Sequence, residues 1–285
     1  MTKARHALLT ATAFAFCLLT ARVTAQVPLT AEQIAAIVAS PDRSAADRVN
    51  DQRRQPVPML AFIGIRPGLS ALDISTGGGY TAELLARAIG PSGVVYGQSR
   101  PRDPSRAAPP PTAPEGNSNP ALAPSPVAMS APRPSPVALA DRDAKLKAAD
   151  IAAAPIVAAV QPFEDPAPPE LASAHFDLVT LMFNYHDLGW MGVDRAAMNQ
   201  AVFRALKPGG SYIIADHSGR AGTGISESGT LHRIEETFLR HEVEAAGFSL
   251  AATADFLCNA NDPRDRNTPD PPQPKDEFVL KFVKP

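Results

Sequence analysis

Two sets of residues in this 285-residue chain have types and spacing suited to chemistry. The first is Gly77-Gly78-Gly79, four residues beyond Asp73. Three successive glycines remove every Cβ, so a ligand can lie directly on the backbone. Amides opening the next helix would point at that ligand and favour a negative group such as a carboxylate. The second set is two His/Asp pairs, His186-Asp187 and Asp216-His217. A histidine oriented by a carboxylate can take the proton of a hydroxyl or amine, and it works as a base only when neutral. His232 is a further candidate for the same mouth. His, Asp and His are also metal-ligand types, but no local ligand spacing joins them and no metal is expected.

Gly77, Gly79 and Ala82 fit the G-x-G-x-x-[GA] spacing of dinucleotide sites, a weak signal alone. Asp73 argues against a dinucleotide, because its charge would repel a pyrophosphate. The acid that grips a ribose about twenty residues further on is also missing, with Gln98 near that place. The same negative charge suits a ligand carrying ammonium and sulfonium groups. A phosphate-free nucleoside is the expected cofactor class. A glycine turn that merely lets helix and strand pack closely is the plainer alternative.

The elements that must position these residues read as a strand–helix alternation. Residues 30–40 read as a helix with Thr30 and Gln33 forming a capping box. A charged helix over 42–54 and a short one over 58–62 follow, and the three are expected to lid the site. Its charge run would otherwise be a solvated face of i,i+4 pairs. Strands are expected at 72–74, 94–97, 155–160, 176–183, 211–215, 248–256 and 277–283. Helices are expected at 80–89, 141–152, 194–206 and 231–247. The 176–183 run is continuously apolar, as in a strand covered on both faces. This pattern implies a doubly wound α/β domain with a mostly parallel seven-stranded sheet and right-handed crossovers. No helix separates the last two strands, so the final strand is antiparallel. Ligands of such sheets sit beyond the strands' carboxyl ends, where Asp73, Gln98, Asn184 to Asp187 and Asp216-His217 fall.

The segment LDISTGGG (72–79) resembles the first motif of class I S-adenosylmethionine-dependent methyltransferases. FDLV (176–179) and LKPGG (206–210) resemble the segments around their fourth and fifth strands. From about Gln33 onward the chain is similar to a bacterial group of methyltransferases of this class with a leader peptide. The resemblance implies a Rossmann-like methyltransferase fold and S-adenosylmethionine as cofactor. It implies a cofactor-binding set of Asp73, Ser75, Gly77, Gly78, Gly79, Gln98 and Asn184. The turn after the third strand would flank the adenine, with Phe163 on the ring and Glu164 or Asp165 at its amine. His186, Asp187, Asp216 and His217 would serve the acceptor, expected to be a small molecule. Ser75 departs from the family, standing where the first glycine of the motif belongs. The alternative is an exported, non-catalytic binding protein on the same fold.

Composition sets the remaining bounds. Net charge is −2 and no basic patch appears, so nucleic acid is not an expected partner. Lys3 and Arg5, an apolar run over 7–21 and Val23-Thr-Ala25 read as a secretory leader cut after Ala25. Losing Lys3, Arg5 and Arg22, with no acid, takes the net charge to −5. The expected location is periplasmic or secreted, with no stable membrane span after cleavage. Of two cysteines only Cys258 would survive, so no internal disulfide can form. Twelve of the residues in 101–136 are proline, so this stretch reads as an irregular insertion outside the core.

Overall fold

The computed structural model describes residues 27–102, 133–267, 269 and 273–285. The expected leader and most of the proline-rich insertion lie outside the described residues.

Three helices precede the sheet: α1 (Ala31–Ala39), α2 (Ala45–Arg54) and α3 (Pro56–Ile63). The Thr30 hydroxyl accepts from the Gln33 amide while the Gln33 side chain accepts from the Thr30 amide, closing the capping box. Ser44 caps α2 through the Asp47 amide. The alternation then runs β1 (Ser70–Ile74), α4 (Tyr80–Ile89), β2 (Val94–Ser99), α5 (Ser135–Ala148) and β3 (Ile156–Val160). It continues through β4 (Phe176–Met182), α6 (Asp187–Trp190), α7 (Arg195–Ala205), β5 (Leu206–His217), α8 (Glu236–Ala245), β6 (Ser249–Ala254) and β7 (Glu277–Val283).

Seven strands among the described residues form one sheet in the order β3-β2-β1-β4-β5-β7-β6. All pairings are parallel except those of β7, which runs antiparallel to both β5 and β6. Chain order reverses between β1 and β4, which makes their carboxyl ends the switch point where such sheets open a crevice.

Period-two alternation builds a core on each face. Along β5, Ile213 and Ala215 join the layer under α1, α3, α4 and α5. Tyr212 and Ile214 join the layer under α7 and α8. On β7, Val279 takes the first side and Phe278 and Leu280 the second. Fully buried residues such as Leu85, Ile89 and Ile214 contribute about 1.5–3 kcal/mol each. Asp73 and Thr180 are register partners across β1 and β4, so a charged group sits inside this frame.

Several boundaries differ from the sequence expectation, three of them by a rearrangement with a clear cause. Helix α5 begins at Ser135, six residues early, because Pro136 in a first turn has no N–H to satisfy and its fixed φ suits the helix. The end of the proline-rich stretch is therefore helical. Strand β5 starts at Leu206 and takes in residues 207–210 as a bulge: Phe176 pairs with Leu206 and Leu178 with Ser211. Helix α8 starts at Glu236 rather than 231. Residues 231–235 instead run beside the end of β5, with Ser218 and Ile234 bridged and Gly219 N–H donating to the Ile234 carbonyl at 2.7 Å. Fully buried Arg233 anchors that segment through Asp262 at 2.8 Å and the Ser218 carbonyl at 3.0 Å.

Among the described residues no helix is long and apolar enough to cross a membrane.

Candidate active site

The glycine turn joins β1 to α4 and forms the floor of a cavity of about 350 Å³ at the switch point. Asp73, Ser75, Gly77, Gly78 and Asn184 line it together with Asp47, Asn50 and Arg54 of α2, Tyr80 of α4 and Arg142 of α5. Gly79 caps α4 at φ 78° without a side-chain cap, so first-turn amides other than that of Ala82, which turns to Asp73, are left to a ligand. Gly79 also admits a close neighbour: a Cβ there would stand 2.8 Å from Leu139 and 2.9 Å from Arg142. At Gly78 a Cβ would meet nothing within 4 Å.

Asp73 is 2% exposed and accepts hydroxyl hydrogen bonds from Thr180 (2.7 Å) and Thr76 (2.8 Å). Burial pushes its carboxyl up to about 6, against the pull of those two hydroxyls and Arg54. The Ala82 backbone amide, in the first turn of α4, also turns to this carboxyl.

Ser75, where a glycine would be ordinary, takes a left-handed φ of 57°. Such a conformation costs a residue with a Cβ about 1–2 kcal/mol. Two bonds offset that cost: the Ser75 amide donates to Gln98 Oε1 at 2.9 Å, and its hydroxyl donates to Asn184 Oδ1 at 2.6 Å. The serine hydroxyl thereby ties β1 to β4.

The Gln98 amide is fully buried, accepting from Ser75 and donating to the Gln161 carbonyl at 2.7 Å. It braces the ends of β1, β2 and β3 and does not line the cavity. The expected adenine set is also off the wall. Phe163 is packed in the core under α7 and α8. Glu164 accepts from the Asp194 amide at 3.4 Å, and Asp165 faces solvent. The turn after β3 thus serves packing and helix capping here.

Helix α2, expected to lid the site, supplies lining residues that sequence reasoning did not name. Asp47, Asn50 and Arg54 fall at i, i+3 and i+7, one helical face, and that face turns inward. Asp47 is 4% exposed and Arg43 5%. Arg142 grips Asp47 with both terminal nitrogens (2.9 and 2.8 Å), pairs with Glu83, and donates to the Gly78 carbonyl at 2.6 Å. Arg43 pairs bidentately with Asp51 (2.6 and 2.8 Å), and the Tyr80 hydroxyl donates to Asp51 at 2.7 Å. The charge run is a cavity wall rather than a solvated face. The inward-facing spacing was the available signal.

His186, Asp187, Asp216 and His217 do come together, but behind the cavity wall. His186 is 1% exposed; its backbone amide donates to Asp216 at 2.7 Å and its Nδ1 lies 2.5 Å from the other oxygen. Its Nε2 lies 3.1 Å from Asp187 Oδ1 but off the axis a hydrogen bond needs, so that contact is electrostatic. Burial alone would lower the His186 pKa; Asp216 and then Asp187 outweigh it and push the ring up to about 10. It is therefore an imidazolium at neutral pH, unable to act as the expected base.

His217 is neutral for the opposite reason. Full burial holds it well below the ordinary value, and the positive charges of Lys275 and His186 add to that. Glu277, 2.9 Å from its Nδ1, is itself engaged by Arg53 at 2.9 Å. With 1% exposure, His217 meets no acceptor.

Asp187 is the accessible member. It accepts from Asn184 Nδ2 (2.9 Å) and Trp190 Nε1 (3.0 Å) and lies 2.9 Å from His232 Nδ1. Burial acts to raise its pKa, but His186 overrides it and holds the carboxyl well below the usual range. Asn184 is the link between this cluster and the cavity, touching Ser75 on one side and Asp187 on the other.

The sheet order, the antiparallel seventh strand and a glycine turn at the switch point define the Rossmann-like fold of class I S-adenosylmethionine-dependent methyltransferases. A solved SAM-dependent methyltransferase from Aquifex aeolicus shares it, with a TM-score of 0.50 at 14% identity over 90% of this chain and 100% of that one. A putative methyltransferase from Bacillus halodurans aligns at 0.49 and 14% identity, over 80% and 97%. One from Haloferax volcanii, in complex with the Trm112 activator, aligns at 0.49 and 16%, over 90% and 99%. These likenesses concern the fold. No protein-family model matches the chain, and no curated protein does either.

Proposed function

We propose that this chain transfers a methyl group from S-adenosylmethionine, held over Gly77–Gly79, to a small-molecule acceptor. The observation that carries the reading is the polar cavity at the β1–β4 switch point, floored by glycine backbone and walled by Asp73, Asp47 and Arg54. Its carboxylates suit the ammonium and sulfonium groups of that cofactor. The amides opening α4 and the Arg54 guanidinium suit its carboxylate. When bound, the cofactor supplies an electrophilic methyl group; this chain's residues supply alignment.

The donor set fits the methionine end of the cofactor better than the nucleoside end, where Gln98 is spent inside the protein. The proposal therefore assigns Asp73, Ser75, the three glycines and Asn184 to the cofactor. It makes His186, oriented by Asp216, the positioning group for Asp187, and leaves His217 in the packed core. It also has residues 1–25 removed and the protein exported, on the strength of the leader pattern alone.

Calorimetry on the purified chain tests the reading, with S-adenosylmethionine, its demethylated product and a nicotinamide dinucleotide as separate titrants. Heat with the first two and none with the third is expected. The reverse order would overturn it. Binding without methyl transfer to any offered acceptor pool would favour the non-catalytic alternative.

A further inference from the structure

We propose that His186 Nε2, the Asp187 carboxylate and His232 Nδ1 form a binding site for a first-row divalent cation of the Zn²⁺ type. The site stands independently of cofactor binding, since none of the three residues lines the cofactor cavity. Its donor atoms all lie within 4.8 Å of one another. Two are 2.9 and 3.1 Å from Asp187 Oδ1. Ligands bound tetrahedrally at about 2.0–2.1 Å stand roughly 3.4 Å apart, so the two contacts to Asp187 would open slightly while the imidazole nitrogens draw around the ion.

Two imidazoles and one carboxylate form a donor set for Zn²⁺, Fe²⁺ or Co²⁺ rather than for Ca²⁺ or Mg²⁺, which take oxygen. The sequence carries no ligand spacing because the donors come from two places. His186 and Asp187 sit in the turn after β4. His232 comes from the segment that pairs with the end of β5 and that Arg233 anchors.

The residues behind the donors point the same way. Asp216 holds His186 Nδ1 at 2.5 Å, the carboxylate–histidine arrangement that orients a metal ligand and leaves Nε2 for the ion. That Nε2 is buried, on a residue 1% exposed, makes no hydrogen bond and faces only the Asp187 carboxylate, 3.1 Å away. An ion entering here would displace the proton that Nε2 carries in the metal-free chain, so binding releases a proton. Asn184 holds the far oxygen of Asp187, Oδ2, while Trp190 donates to the oxygen that faces the two histidines. The His232 side chain is 37% exposed and Trp190 58%, so the outer side is open to water. Three protein ligands with an open position is the form of a catalytic rather than a structural metal site.

The test uses the untagged chain, stripped with chelator and titrated with Co²⁺, whose visible absorption reports coordination, and then with Zn²⁺ in competition. One Co²⁺ per chain, with the absorption of a four- or five-coordinate ion and displacement by Zn²⁺, is expected. His232→Ala, at a half-exposed position, should fold and weaken binding more than about a hundredfold. Asp216→Asn, behind the ligands, should weaken it about 10–100-fold. His241→Ala, at an exposed histidine outside the cluster, should change nothing. Absence of stoichiometric Co²⁺ binding, or binding that survives His232→Ala undiminished, would overturn the assignment. Cofactor calorimetry on His232→Ala separates the two readings, because cofactor binding should be unaffected whichever way the metal result falls.

Discussion

Substitutions at adjacent glycines separate occupancy of the turn from its folding. At Gly79, φ is 78° and a Cβ would press on Leu139 at 2.8 Å and Arg142 at 2.9 Å. Alanine there pays about 1–2 kcal/mol for a left-handed backbone and about 1–3 kcal/mol for crowding. The sum, about 2–5 kcal/mol, corresponds to a Tm drop of roughly 4–20 °C at about 2–4 °C per kcal/mol. At Gly78 the backbone is ordinary and a Cβ meets nothing within 4 Å, yet the residue lines the cavity. Gly78→Leu should therefore stay within about 0.5 kcal/mol of the wild-type stability. It should nonetheless push a ligand off the backbone. Losing even two hydrogen bonds at about 1 kcal/mol each weakens binding tenfold or more, since a tenfold change is about 1.4 kcal/mol. The assays are thermal unfolding of both variants and calorimetry with the demethylated cofactor product on Gly78→Leu. Wild-type affinity in Gly78→Leu would refute the placement of the ligand, and an unshifted Tm in Gly79→Ala would refute the packing argument.

Asp73 titrates near 6 in the folded chain, so a cationic cofactor should bind more tightly as pH rises through 6, and Asp73→Asn should flatten that dependence; calorimetry between pH 5 and 8 measures it. The same raised pKa makes the folded state bind more protons than the unfolded one between about 4 and 6. Asp73's contribution to stability therefore falls with rising pH there, a slope that Asp73→Asn should remove from thermal unfolding curves. Arg142→Ala leaves Asp47 and Glu83 without their shared partner and should cost about 3 kcal/mol or more, read by denaturant unfolding. Arg142→Ala with Asp47→Asn should recover part of that loss. Mass spectrometry of the protein expressed with its full leader should find the mature chain starting at Gln26, and an intact Met1 would refute cleavage.

Period-two and helical periodicity made the element order legible from the sequence, down to the capping box at Thr30 and the antiparallel ending. Those are local signals: a strand's alternation and a helix's cap are properties of neighbouring residues. Gly77–Gly79 was legible for the same reason, since three missing Cβ atoms need no tertiary context. The sequence also placed His186, Asp187, Asp216 and His217 together at the carboxyl ends of neighbouring strands. Their protonation was beyond its reach. Which histidine is charged depends on burial and on which carboxylate faces it, and these set His186 and His217 on opposite sides of neutrality. Only packing decided that Gln98 and Phe163 turn inward, away from any ligand. The α2 face became a wall because Arg142, nearly a hundred positions along the chain from Asp47, reaches across to it. The start of α8 moved because Ile234 found a partner on β5, and a pairing partner so distant in sequence outweighs local helix propensity. That shift carried His232 to Asp187, a meeting that no residue spacing encodes.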